Sequence, residues 1–465
     1  MKCRTVSAIT ATLMRVFIFT LSATLVGVIA APNTLGAFEL TISSECRQTI
    51  KGWGFTPGPI DWDGRCLLRN NALLKKLYQE SGVTIARFVI GTGTLWRGAG
   101  LNEPRADEVI LPQVITLREN GLEDYIITIL LPPWMLRKYA SEEAYVDFDI
   151  NPLREEREDE YAKYIAAIVS FIRARKMTLP LAISLQNQPD FPQPPYFGGT
   201  TVPGCIYTQN QLSRLGAKVR AALDQADLKG VGIIGPETFD RRWLVDALQP
   251  VDGADDLPAS FGFLSGLAIH SSAEFDELEN ELSRSFFAVV ETARRRGREV
   301  WVTDINVAKA RNDSEVLLGT FAALRRDLNE MHASYWFWRY GFVWESGGEA
   351  LVHGRACVEA PVYRALRDLW KAAPLGSQVH TILSNTTDGA SRAFCLMQPE
   401  QTVLALFNPV ERPEPYAIKG IKGNTGLVTF YRGDSSPEVK QIECWGAVLK
   451  IEIPPKSVAL IVVKL

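Results

Sequence analysis

Two apolar stretches of this chain end in side chains that can do chemistry. Residues 179–185, broken only by Pro180, lead into Gln186, Asn187, Gln188 and Asp190 around Pro189. A second run, EVWVTDIN from Glu299 to Asn306, ends in the carboxylate of Asp304. Amides at the tips of buried strands can read hydroxyl groups, and a carboxylate there can attack carbon or move a proton. When such strands close into a parallel barrel, their C-terminal tips are where ligands bind. Sugar chemistry fits this set of groups. Other carboxylates near strand ends are Glu237 in GPETFD and, in the first loop, Asp61 and Asp63.

These groups must be carried by regular elements, and the hydrophobic periodicity supplies them. Apolar segments at 52–54, 84–90, 125–130, 179–185, 230–235, 264–270, 299–303 and 333–338 read as strands. Helical periodicity lies between them, clearest at 158–175, 209–226, 276–296, 314–329 and 362–372, with Thr208 placed to cap the second. Eight strands alternating with helices predict an α/β fold, a (β/α)8 TIM barrel over residues 51–374. An open doubly wound sheet is the alternative, but no glycine-rich phosphate loop follows the first strand. Beyond Pro374 the helical pattern stops. Short β-rich segments at 379–383, 393–397, 402–407, 426–431, 439–442, 447–453 and 457–463, separated by turn residues, predict an antiparallel β-sandwich over 375–465. A strand-like stretch at 38–49, within 32–50, precedes the barrel and is expected to pair into that sandwich.

The first 31 residues read as a cleaved secretory signal. Lys2, Arg4 and Arg15 precede an apolar run from Val16 to Ile29 that ends in Ala30 and Ala31. A secreted, periplasmic or extracellular protein is therefore expected, with no membrane span once the signal is removed. Hydrophobic residues make up 46% and charged residues 22%, a composition able to bury a large core. The net charge of −3 leaves no footprint for nucleic acid. Six cysteines lie beyond the signal, so one or two disulfides are expected, although their scatter fixes no pairing. The four histidines have no metal-ligand spacing, and neither a metal nor a cofactor is expected. A monomer is expected.

Ordered motifs along the mature chain resemble glycoside hydrolase family 30, which includes glucosylceramidases, glucuronoxylanases and β-1,6-glucanases. They are QTIKGWGF, RFVIGTG, LPPWM, QNQPDF, AIHSS, WVTDIN, YWFW and the closing PPKSVALIVV. The resemblance implies a barrel with an attached β-sandwich and a retaining mechanism on β-linked sugars. In that family a Glu ending the fourth strand is the acid/base and a Glu ending the seventh is the nucleophile. The matching positions here hold Gln188 and Asp304, so both catalytic glutamates are substituted. Glutamine cannot deliver a proton, and aspartate is shorter by one methylene, about 1.5 Å of reach. The acid assistance lost is worth roughly 10² to 10⁴ in rate.

Asp190 is the first expectation for a substitute acid and Glu237 the second, with Asp61 and Asp63 behind them. By resemblance, Arg87 holds the nucleophile carboxylate and Asn187 reads the hydroxyl beside the reacting carbon. Trp53, Trp134, Trp336, Trp338 and Trp344 fall at strand ends, where indole faces can stack on sugar rings, and His270 joins them. Packing is the alternative role for such tryptophans. The expected function is a divergent hydrolase of a β-linked glycan or glycoside. The alternatives are a carbohydrate-binding protein that has lost turnover and, third, a secreted structural protein.

Overall fold

The computed structural model describes residues 37–57, 70–91, 93–137, 153–190, 195–196, 200–201, 205–248, 257–272, 281–307, 310–343, 350–354, 356–423, 425–433, 435–443 and 448–465. The expected signal, Asp61, Asp63 and Trp344 lie outside them. After a first strand, β1 (Phe38–Thr49), eight parallel strands close on themselves: β2 (Gly52–Phe55), β3 (Ile85–Ile90), β4 (Asp124–Ile129), β5 (Ala182–Ser184), β6 (Gly232–Thr238), β7 (Gly266–Ser272), β8 (Glu299–Asn306) and β9 (Tyr335–Trp338). This is the expected TIM-type barrel.

Helices α1 (Glu103–Val109), α2 (Leu111–Glu119), α3 (Glu158–Ala174), α4 (Gln209–Gln225), α5 (Arg241–Leu248), α6 (Glu281–Arg295), α7 (Asp313–Asn329) and α8 (Pro361–Ala372) follow or join the strands. Thr208 caps α4, its side chain accepting from the Gln211 N–H at 3.1 Å. The sequence reading passed over α1, α2 and α5, which are short. Proline near the start of α1 and α2 sits where its missing N–H costs nothing.

The barrel interior is set by period-two alternation. Ile85, Ile126, Ala182, Ile234, Ala268, Trp301 and Phe337, one from each of seven strands, form a single apolar ring. The eighth strand, β2, contributes space instead. A Cβ on Gly54 would lie 2.5 Å from a ring carbon of Phe337, and one on Gly52 equally close to Tyr335. Glycine at these positions admits the two aromatic rings into the barrel. Residues one step out of phase, including Trp53, Trp336 and Trp338, point outward and join the large core beneath the helices.

The C-terminal strands are β10 (Gln378–Ser384), β11 (Ala393–Gln398), β12 (Gln401–Asn408), β13 (Glu414–Lys419), β14 (Thr425–Tyr431), β15 (Glu438–Glu443), β16 (Val448–Ile453) and β17 (Ser457–Lys464), with a short helix α9 (Thr387–Ser391) after β10. With β1 they make one nine-stranded sheet in the order β15-β14-β17-β12-β11-β10-β1-β13-β16. Pairing is antiparallel except between β1 and β13. Val428 near one edge and Leu449 at the other share a core cluster, so the sheet folds over on itself as a sandwich. The opposite face, with Phe394, Leu396, Val403 and Ala405, packs into the barrel's core. The strand β13, missed from sequence, carries Pro415 and reads as a turn. Cys46, Cys205, Cys357 and Cys395 form no disulfide with one another; Cys66 and Cys444 lie outside the described residues, and the expectation of one or two bridges rests on them.

Candidate active site

Two residues beyond the apolar ring, the same strands turn polar. Arg87 stands above Ile85, Thr128 above Ile126, Ser184 above Ala182, His270 above Ala268 and Arg339 above Phe337. Arg87 is 2% exposed and is the hub of this layer. Its guanidinium donates to Thr56 Oγ1 at 3.2 Å, Thr128 Oγ1 at 3.1 Å, Glu237 Oε1 at 3.2 Å and Asn187 Oδ1 at 2.7 Å. A further ion pair at 3.8 Å reaches Asp304 Oδ2.

Asp304 sits between two cations. Arg339 Nε approaches its Oδ1 at 3.9 Å, and the Arg339 guanidinium lies 5.1 Å from the Tyr340 ring centre. The pairing of β8 with β7 slips just before this residue: Ile269 opposes Val302, but His270 opposes Asp304. Thr303 is therefore the extra residue of a bulge, and bulges re-aim the side chain beside them. The Asp304 side chain is 14% exposed, whereas its neighbours Thr303 and Ile305 are buried.

Gln188 and Glu237 meet through their backbones, the Gln188 N–H donating to the Glu237 carbonyl at 3.2 Å. Both have positive φ, 48° and 56°, the left-handed region that costs a side-chain-bearing residue roughly 1–3 kcal/mol. The Gln188 amide nitrogen lies 3.0 Å from His270 Nδ1. With the amide donating, the neutral imidazole carries its proton on Nε2, which has no partner among the described residues. Burial, then the charges of Arg87 and Arg339, hold the His270 pKa well below its ordinary value. A neutral ring at the mouth of the barrel can donate one hydrogen bond and does not supply acid.

Both expected substitute acids are hydrogen-bonded to neighbouring groups. Glu237 is fully buried; beyond Arg87, its Oε1 accepts from Thr128 at 3.3 Å and its Oε2 from Ser184 at 2.5 Å. It is the counter-ion of Arg87, which corrects its assignment to substrate. Asp190 ties down the loop after β6: its Oδ1 accepts from the Phe239 N–H at 3.2 Å and its Oδ2 from the Asp240 N–H. Burial raises its pKa to about 6 despite these bonds.

The tryptophans divide. Trp53 donates to the Ala373 carbonyl at 2.6 Å and Trp336 to Asp327 Oδ2 at 2.9 Å, both fully buried. Trp338 is buried beside Trp336. These three pack the barrel against its helices and do not reach the cleft. Trp134, in a half-buried turn after β4, is the one expected indole left open among the described residues. The polar layer thus joins Arg87, Asn187, Gln188, Glu237, His270 and Asp304. Sequence reasoning missed Arg339, Thr56, Thr128 and Ser184. For Arg339 the signal was available, since 335, 337 and 339 share one face of a strand.

No family model and no curated protein matches the sequence. Solved structures do. A family 30 subfamily 8 xylanase from Clostridium acetobutylicum superposes with a TM-score of 0.67 at 15% identity, covering 92% of this chain and 100% of its own. A conserved exported protein from Bacteroides fragilis gives 0.71 at 14% identity, covering 91% and 100%. A β-xylosidase from Caulobacter crescentus CB15 gives 0.60 at 14%, covering 92% and 99%. The fold is that of the family 30 glycoside hydrolases. At these identities the likeness is one of architecture.

Proposed function

We propose that this protein is an exported glycoside hydrolase of β-linked sugars in which Asp304 attacks the anomeric carbon and no side chain protonates the departing group. The observation that carries this reading is the Asp304 carboxylate, bulged out of β8 into the mouth of the barrel and flanked by Arg87 and Arg339. Two guanidinium groups flank it and orient it, which a nucleophile requires. The bulge supports compensation for the shorter side chain. A bond from Asp304 Oδ to C1 forms as the C1–O bond breaks, and the leaving oxygen departs with the electron pair; a water oxygen then bonds to C1 as the Asp304–C1 bond breaks, its proton passing to solvent and the carboxylate being restored. With an amide at 188, that oxygen must be a stable anion, such as a phenolate. Asn187, His270 Nε2 and Trp134 are proposed to hold the sugar. Neither a metal nor a cofactor enters the step. The protein is proposed to act as a monomer.

The second reading, a carbohydrate-binding protein, is favoured by the Gln188–His270 pair and by the engagement of Asp190 and Glu237 elsewhere. Dinitrophenyl β-glycosides and natural β-glycans, assayed side by side, separate the two. The hydrolase reading expects turnover of the activated compounds alone, lost by about 10³-fold or more in Asp304→Ala. Gln188→Glu should then raise hydrolysis of unactivated glycosides by roughly 10² to 10⁴. Oligosaccharide binding with no turnover of either class would establish the binding protein instead.

A further inference from the structure

The reaction proposed at Asp304 has two halves, and the groups around it bear on the second. Once a sugar is bound to the nucleophile, a retaining hydrolase frees it with water, and the carboxylate that served as acid takes the water's proton. That assistance is worth roughly 10² to 10⁴ in rate. The side chain proposed for this place is the Gln188 amide, which accepts no proton. Its neighbour offers no substitute. With the amide donating to Nδ1 of His270 at 3.0 Å, the other ring nitrogen carries the proton and can only donate. The two nearby carboxylates hold other groups: Glu237, fully buried, holds the Arg87 guanidinium, and Asp190 holds the backbone N–H groups of Phe239 and Asp240.

Charge points the same way. In an ordinary retaining enzyme the acid has lost its proton by the time the sugar is bound, and its carboxylate repels any incoming anion. Gln188 carries no charge. Ester formation also neutralises Asp304, while Arg87 and Arg339, at 3.8 Å and 3.9 Å from its oxygens, keep theirs. The field at the barrel mouth therefore turns more positive when the sugar is bound, whatever else those guanidinium groups touch. Water without a base is a poor nucleophile in such a site. A carboxylate or a phosphate is already deprotonated at neutral pH and needs no base.

We infer that an oxyanion, a carboxylate or a phosphate, takes the second step in place of water, so that the protein passes its sugar to an acid. An oxygen of the anion bonds to C1 with its own electron pair as the bond from C1 to Asp304 Oδ breaks. The released pair returns to the Asp304 carboxylate, and no proton moves. Two successive inversions leave a β-linked glycosyl ester or glycosyl phosphate. This rests on the reading of Asp304 as nucleophile, which must carry the sugar first. The full chain is given a dinitrophenyl β-glycoside with sodium acetate, sodium phosphate or sodium chloride at matched ionic strength. Dinitrophenolate release reports the first step, and proton NMR of the products reports the second. With acetate or phosphate, β-linked transfer product should exceed free sugar about tenfold, and the productive arm names the acid. Gln188→Glu restores a base and a negative charge, and should lower that ratio about tenfold or more. Dinitrophenolate release with free sugar as the main product in all three salts would overturn the inference and leave Asp304 a hydrolytic nucleophile. An α-linked product would also overturn it, because the anion would then have attacked the donor directly, and so would an unchanged ratio in Gln188→Glu. No dinitrophenolate release in any salt would remove the reading of Asp304 and the inference together.

Discussion

The lower and upper rings of the barrel are built from the same strands, roughly 6.6 Å apart, and they obey opposite rules. Below, Ile85, Ile126 and their neighbours are interchangeable as chemistry and specific only as shape. Above, each side chain is fixed by a named partner: Arg87 by four oxygens, Glu237 by three donors, Gln188 by His270. The lower ring stabilises by excluding water. The upper ring costs stability to assemble, through a buried ion pair and two strained backbones, and in return holds one carboxylate in the open.

Experiments can break this contrast. The largest effect is expected from Arg87→Met, which leaves Glu237 charged and buried without its cation. A loss of about 3–5 kcal/mol is expected in urea unfolding. The double variant Arg87→Met with Glu237→Gln should lose less than Arg87→Met alone; an equal or greater loss would mean that charge pairing is not what holds the layer. Next, Ile126→Ala in the lower ring should cost about 2–4 kcal/mol through a cavity. Activity per folded molecule should stay near wild type, and a fall in step with Arg87→Met would dissolve the distinction between the rings.

The smallest effect concerns Asp190. Its carboxyl is raised from 3.8 to about 6 in the folded chain, because burial outweighs its backbone hydrogen bonds. The fold therefore favours the protonated form. That contribution is fully present below about pH 3.8 and is lost as pH rises through about 6. In Asp190→Asn the curve of melting temperature against pH should flatten in that window; an unchanged slope there would place the titration elsewhere.

Much of this was legible in the sequence, and the reasons differ by residue. The barrel strands announce themselves because each is an apolar run between turn residues. Gln188 and Asp304 were visible because each ends such a run. Alternation along YWFWR shows that Trp336 and Trp338 share one face and that Tyr335, Phe337 and Arg339 share the other. It does not say which face looks inward. That is decided by Gly52 and Gly54 on the neighbouring strand, whose missing side chains admit the rings of Tyr335 and Phe337. The choice is tertiary, so three tryptophans were assigned to the cleft and Arg339 was overlooked. Glu237 misled for a related reason. Its partners Arg87, Thr128 and Ser184 arrive from three other strands, and nothing local marks a carboxylate that will end fully buried.

The first strand, β1, lies inside the nine-stranded sheet, between β10 and β13. Its Glu39 N–H donates to Asn385 Oδ1, a partner 346 residues further along. During synthesis this segment waits through the making of the entire barrel with both of its backbone edges unmet, and contacts so distant in sequence form slowly. The earliest strand to emerge is thus among the last to find its place, and the two ends of the described chain clasp only when nearly everything between them exists.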